Sequence, residues 1–305
     1  MRAAVLQQPG APVAGTFDDP QPDDSHEVVR VVLAGLNPVD LAITSGAFGP
    51  LALPAVAGIE GIAELADGQL AYFQRPRSPY GSIAERAPVD PTRTFTLPQG
   101  LDPALAVALG VAGLAAWLPL KLRAQLQPGE RVLILGASGI VGRFGVQAAK
   151  LLGAGHVVAA ARNRTALEQT RALGADEVVV LEGDFAPAIK AAAGDGYDVV
   201  LDPLYGPPLE AALAAMAPGG RAVVVGAQAG TSIELPITSL RLRTINSHSN
   251  AQIPLPETRA AYEELAAHAL AGRLQVPIER FALDQVAEAW THQAASPHSK
   301  IVIVP

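Results

Sequence analysis

Not one of the 305 residues is cysteine, and with cysteine go disulfides, thiol nucleophiles and thiolate metal sites. Positive charge is also in short supply: 22 Lys and Arg against 29 Asp and Glu leave a net charge of -7, and the basic residues are dispersed. Nucleic acid and anionic membrane surfaces are held by clustered positive charge, so neither is an expected partner. Half of the residues are hydrophobic, yet no apolar run reaches membrane-spanning length without a glycine, a proline or a charge. The opening MRAAVLQQPG lacks the apolar core of an export signal, which makes the cytoplasm the expected location. His26, His156, His248, His268, His292 and His298 follow no metal-ligand spacing, and Ser138 has no His and acid placed to make it a nucleophile. No metal site is expected.

What is present is length enough for two domains and a sizeable core. From Met1 to about Pro103, short β-like runs (RAAVL, EVVRVVLAG, GIAEL, YGSIAERAPV) are broken by proline and glycine, the texture of a mostly β region. Around Leu101 the composition turns to alanine and leucine, and 101–126 read as helices that Pro119 should kink or end. Beyond Glu130, strand and helix alternate, with strands expected at 131–135, 156–161, 177–181, 197–201 and 221–225 and helices between them. Such alternation demands right-handed crossovers and a parallel sheet covered on both faces. Its ligand crevice lies at the carboxyl ends of the strands, where Gly136, Ala161, Asp202 and Gly226 fall.

The stretch RVLILGASGIVG, 131–142, organises this half. Its first five residues read as a buried parallel strand. Gly136, Gly139 and Gly142 then recur every third residue, and from Ile140 the spacing turns helical, with Val141, Phe144, Ala148 and Leu151 on one face. A side chain at the first glycines would block close approach of a ligand, and the N–H groups and positive dipole end of the new helix suit a pyrophosphate. Gly136, Ser138, Gly139, Ile140, Val141 and Gly142 are the candidate contacts, Ser138 through its backbone. Glycines at such turns also serve packing, and S-adenosylmethionine enzymes use similar loops. A carboxylate about 20 residues past the turn would bind the ribose hydroxyls of NAD and repel a 2′-phosphate. Here Ala161 stands 19 residues after Gly142 and is followed by Arg162, Asn163 and Arg164. Arginine pairs bidentately with phosphate, so the expected cofactor is NADPH; the competing reading is two ordinary solvated loop arginines.

The tract LQPGERVLILGASGIVGRFGVQAAKLLGA, the run GLNPVDLAITSG at 35–46, and the segments LGADEVV, YDVVLDP and APGGRAVVVG follow one another across nearly the whole chain. Together they resemble the zinc-independent medium-chain dehydrogenase/reductases, most closely the quinone oxidoreductase-like branch. The resemblance implies an α/β architecture, a Rossmann doubly wound parallel-sheet domain plus a GroES-like, mostly β catalytic domain. Residues 1–103 would be the first part of the catalytic domain, 104–254 the NADPH-binding domain, and 255–305 a linking helix, Glu257 to Gly272, with the return to the catalytic domain. It also implies Asn37 beside the nicotinamide, Asp40 in the same pocket, and Gly226, Ala227, Asn246, Ser247 and His248 at the nicotinamide end. A small-molecule substrate is the expected partner, and a homodimer joined by edge strands is implied, with Ser239 to Ser249 as the candidate run. Read alone, Asn37 to Asp40 is also an Asn-Pro turn with a helix cap, Glu60 a turn anchor, and His248 a satisfied loop residue.

Relatives that oxidise alcohols bind zinc through a Cys after the first strand and a Gly-His-Glu motif. Here the Cys neighbourhood is Asn37 to Asp40 and the His position is Ile59, so no zinc centre is expected and Glu60 is read as structural, paired with a basic neighbour. Three further positions depart from the family pattern: a frequent Tyr is Ala42, an Arg is Thr44, and a Thr is Ala115. Tyr72, in LAYFQ and expected at the mouth of the cleft, is the candidate proton donor in their place, with water as the other source. Without a Lewis acid to polarise an alkoxide, alcohol oxidation is disfavoured. Hydride transfer to a quinone or an α,β-unsaturated carbonyl (enone or enoyl) substrate remains, since hydrogen bonds alone can stabilise the developing oxyanion. The alternative is a catalytically impaired NADPH-binding or regulatory protein of the same fold.

Overall fold

The computed structural model describes residues 1–305 and divides into two units, Met1–Val111 with Tyr262–Pro305, and Ala112–Ala261. In chain order the first part of the first unit contributes β1 (Arg2–Leu6), β2 (Val13–Thr16), β3 (Glu27–Leu36), α1 (Pro38–Thr44), β4 (Ala55–Val56), β5 (Glu60–Glu64), β6 (Leu70–Gln74), β7 (Arg86–Val89), β8 (Thr94–Thr96) and α2 (Pro103–Ala108). Valine-rich β3 is the spine. Val29 and Val31 pack with Ala63, Phe73, Ala87 and Val89, while Ala34 and Leu36 farther along join a separate cluster with Trp290, Ile301 and Ile303. Strands rich in β-branched residues suit a pleated surface buried in this way.

The second unit follows with α3 (Leu114–Leu118), β9 (Arg131–Leu135), α4 (Ile140–Leu151), β10 (His156–Ala161), α5 (Arg164–Glu168), β11 (Glu177–Val180), α6 (Ala186–Ala192), β12 (Tyr197–Asp202), α7 (Pro207–Ala214), β13 (Met216–Val224), α8 (Ile237–Leu240), β14 (Thr244–Ser247) and α9 (Leu255–Leu270), the last running on into the first unit. Its strands are all parallel, in the order β11-β10-β9-β12-β13-β14. This is the doubly wound Rossmann arrangement, with the order reversing on either side of β9. Val132, Leu133, Ile134 and Leu135 are fully buried, as a strand covered on both faces must be. Helix α4 is buried from Gly142 to Ala149 rather than on one stripe, because it packs on β9 and β10 and also against α3. Strand β13 begins at Met216, ahead of the expected 221: Met216 pairs once with Tyr197, and the ladder then shifts register before Arg221 pairs with Val199. Gly219, at φ +85°, accommodates that irregularity.

The first unit resumes with β15 (Ile278–Ala282), α10 (Val286–Ala294) and β16 (Lys300–Val304). Its main sheet runs β15-β16-β3-β5-β6-β8, with β7 also paired to β3, beside a smaller β2-β1-β4 sheet, the mostly β, GroES-like body. Strand β16 lies antiparallel to β3, Ile301 opposite Leu36 and Ile303 opposite Ala34.

The units divide at 111/112 and 261/262, not at 103/104 and 254/255. Helix α2 packs on β3 and β5 through buried alanines, and Tyr262 stacks on Tyr72, so the starts of both helical stretches do not mark the boundary. The stretch Pro103–Arg123 is long and apolar enough to cross a membrane by length and composition, but 78% of its apolar window is buried, as in a core helix. It is not one regular helix. A wide π-turn at Leu109–Gly113 contains Gly110 at ψ -108°, and a second begins at Pro119, which has no N–H to donate.

Candidate functional site

Two constellations form, one in each unit. In the second, β9 ends at Leu135 and the chain turns through Gly136, at φ +60°, into α4. A Cβ at Gly142 would collide with the Gly136 carbonyl oxygen, so glycine there lets the helix begin directly against the turn. Gly139 caps α4 in an extended conformation with no side-chain hydrogen bond. The first helical N–H groups, of Ile140, Val141 and Gly142, are therefore not claimed by a capping side chain, which is the condition for holding an anion. Arg162 and Arg164, past the end of β10, are exposed and form no ion pair, and Asn163 Oδ1 accepts from Ala166 N at 2.9 Å to cap α5. That cap occupies one of the three predicted contacts.

Gly226 and Ala227 follow β13, while Asn246 and Ser247 end β14, all on the carboxyl edge of the sheet. His248 is buried, with Nε2 bonded to Asn250 Oδ1 at 2.8 Å and Nδ1 without a partner; burial pulls its pKa down and favours the neutral ring. The carboxyl edge thus gathers the predicted nucleotide contacts. It also holds Asp202, which accepts from the N–H groups of Leu204 and Tyr205. Burial raises its carboxyl to about 6 against the opposing pull of those bonds.

In the first unit, Asn37 starts α1 from an extended conformation, followed by Pro38 at the first helical position. Asp40 Oδ2 accepts the Asn37 N–H at 2.8 Å and, more weakly, the Asn37 Nδ2 at 3.3 Å, so the acid closes the helix start on both the backbone and the carboxamide, which reaches further partners as well. Its Nδ2 donates to Glu60 Oε1 at 2.8 Å, and its Oδ1 accepts from Lys300 Nζ at 2.6 Å. Lys300 also donates to Glu60 Oε1 at 2.7 Å, with both residues buried. Glu60 Oε2 takes the Tyr72 hydroxyl at 3.0 Å and the Val111 N–H at 2.7 Å. Asn37 thus begins α1, as the turn-and-cap reading expects, while its side chain joins the buried Glu60–Lys300 pair.

Tyr72 is not at the mouth of a cleft. It is fully buried, stacked on Tyr262 with ring centroids 4.7 Å apart, and its proton is donated to Glu60. Burial, with Glu60 next in weight, pushes its pKa well above 10, the wrong direction for an acid. Asp40 differs. Its Oδ1 has no partner, and its carboxyl is raised to about 7, first by burial and then by the Glu60 charge, against Lys300 and the Asn37 bonds. Lys300 is the member that the sequence reading did not name; its signal was a lone cation opening the buried strand KIVIV, which demands a counter-charge.

These donors do not fit zinc. The chain offers no thiolate ligand, Ile59 cannot ligate, both Glu60 oxygens are already engaged, and the Lys300 ammonium beside them repels a second cation.

Residues 141–266 match the family described as zinc-binding dehydrogenase. The chain is 30% identical over 296 residues to the quinone oxidoreductase of Rattus norvegicus, covering 93% of this chain and 87% of that one. It is also 30% identical over 324 residues to a phenolphthiocerol/phthiocerol polyketide synthase of Mycobacterium tuberculosis, covering 99% of this chain but only 15% of the length of that relative. Among solved structures, the quinone oxidoreductase of Thermus thermophilus, determined alone and with NADPH, superposes with a TM-score of 0.83 at 30% identity over the full length of both chains.

Proposed function

The chain belongs to the quinone oxidoreductase-like branch of the medium-chain dehydrogenase/reductases, a family of oxidoreductases, and from that membership we propose an NADPH-dependent enzyme that reduces a quinone or an α,β-unsaturated carbonyl without a metal. The observation that carries the cofactor choice is the end of β10, where Ala161 stands in place of an acid and two exposed, unpaired arginines follow. The N–H groups of Ile140 to Gly142 would hold the pyrophosphate, Arg162 and Arg164 the 2′-phosphate, and the segments at 226–227 and 246–248 the nicotinamide end.

When bound, the reduced nicotinamide supplies a hydride to an electron-poor acceptor. The work of the chain is to orient and to handle the proton. Lys300 and Glu60 hold the Asn37 carboxamide from both sides and fix its direction. Asp40 keeps a proton near neutrality on a carboxyl whose Oδ1 has no other engagement, the condition for a general acid at physiological pH. With Tyr72 committed to Glu60, Asp40 replaces it as our candidate proton source.

Stopped-flow loss of NADPH absorbance with 9,10-phenanthrenequinone and with simple enones tests the proposal, the expected result being turnover with at least one acceptor and a preference for NADPH over NADH. Replacing Arg162 and Arg164 by Ala should cut that preference about tenfold or more, given the strength of charge-assisted phosphate bonds. An unchanged preference refutes the arginine assignment. A protein that binds NADPH and never consumes it is a binder or regulator, not this enzyme.

A further inference from the structure

The buried charged side chains, apart from His248, are Asp40, Glu60, Arg143, Asp202 and Lys300. Four are accounted for: Glu60 and Lys300 pair with each other, Asp40 closes the start of α1, and Asp202 accepts backbone N–H groups. Arg143 is different. Only 3% exposed, it donates Nε to the Ser138 carbonyl at 3.1 Å, and Nη2 to the Ala166 carbonyl at 3.4 Å and to Gln169 Oε1 at 2.7 Å. Every acceptor is neutral. Burial lowers the guanidinium pKa, and no acid opposes that pull. A buried cation without a counter-charge is costly, and proteins ordinarily pair it.

Its position suggests what completes the pair. Arg143 lies in the first turn of α4, the turn whose N–H groups face the proposed pyrophosphate, and Ala166 lies in the first turn of α5, directly after Arg162–Arg164. One side chain therefore braces the glycine turn against the loop proposed to take the 2′-phosphate, and leaves its own charge between them. Three acceptors around a planar fork suit arginine better than lysine as a brace, while either would supply the charge.

We propose that Arg143 is a positioning and specificity residue for the nucleotide: a fixed, buried cation whose missing counter-charge is the phosphate that distinguishes NADPH from NADH. This rests on the NADPH reading above and deepens it. Arg162 and Arg164 are solvated and screened by salt; Arg143 is desolvated and already held, so its contribution survives salt that removes theirs.

Equilibrium binding of NADPH and NADH to the intact protein, measured by calorimetry at low salt and at about 0.5 M salt, tests the assignment in wild type, R143M and R143K. R143M should weaken NADPH about tenfold and NADH no more than about threefold, with the difference persisting at high salt, and R143K should recover most of the NADPH affinity. Equal weakening of both nucleotides, no weakening, or no recovery in R143K overturns the proposal. Should R143M fail to fold by circular dichroism, R143Q, which retains hydrogen-bonding capacity without the charge, takes its place under the same criteria. Wild type that binds neither nucleotide sinks the NADPH reading itself; wild type that prefers NADPH, with a preference indifferent to position 143, sinks only the role of Arg143.

Discussion

Asp40 and Glu60 share a single cation, Lys300, inside the first unit, and the consequence is written in the Asp40 carboxyl at about 7. Because that value lies above the ordinary carboxylate range, the folded protein keeps a proton between about pH 4 and 7 that the unfolded chain releases. The stability contributed by this group is complete below that window and is lost as pH rises through it. Urea unfolding at closely spaced pH values should show this decline, and D40N should flatten it. Enone reduction should fall above pH 7 for the same reason, with D40N slow throughout. Glu60 with Lys300 behaves differently: E60Q or K300M alone strands a buried charge, at about 3–5 kcal/mol, whereas E60L with K300M should cost less than the sum of the single changes. Y72F should lower stability by about 1–3 kcal/mol through the lost bond to Glu60 yet leave quinone reduction near wild type.

At the scale of elements, the π-turn at Leu109–Gly113 is what lets Val111 N–H reach Glu60. A Cβ at Gly110 would collide with the Tyr72 ring and with Glu60 Oε2. G110A should therefore destabilise by about 1–3 kcal/mol or more, as overpacking does, and do so less in a Y72F background, which urea titration of the four proteins would reveal. The strand-turn-helix of β9 and α4 was legible in the chain because apolar run, glycine spacing and change of period coincide within 131–151. The site of Tyr72 was not. LAYFQ reads as a strand either way, but Phe73 packs with Val29 and Val31 while Tyr72 meets Tyr262 from a helix far along the chain. Local pattern holds no record of what covers the second face. The Lys300 partnership was hidden for the same reason, its partner lying 240 residues away.

For the whole molecule, the division into two units was readable from texture, since a β-rich start, an alternating middle and a short β-α-β return differ in period. The points of division were not, because α2 and the end of α9 look like their helical neighbours until their packing is known. The proposed nucleotide should stabilise the folded chain by linkage, about 2.7 kcal/mol at a hundredfold excess over its Kd, seen as a rise in Tm that NADH reproduces less well. We also propose the homodimer. Strand β14 is a sheet edge, and Ile237 and Leu242 near it are 78% and 72% exposed. Wild type should sediment at twice the chain mass and I237K/L242E at once.

Strand β16 brings the only ammonium to Glu60, and on the ribosome Lys300 is made 240 residues after it. At roughly 5–20 residues per second, Glu60 waits some 10–50 s for its counter-ion. The nascent first unit must pass that interval with its sheet open along β3, while residues 112–261, contiguous in the chain, can fold on emergence. Translation thus completes residues 112–261 before the Glu60–Lys300 pair can close, and a nascent chain stalled before residue 300 should resist protease in the middle and be cut at its start.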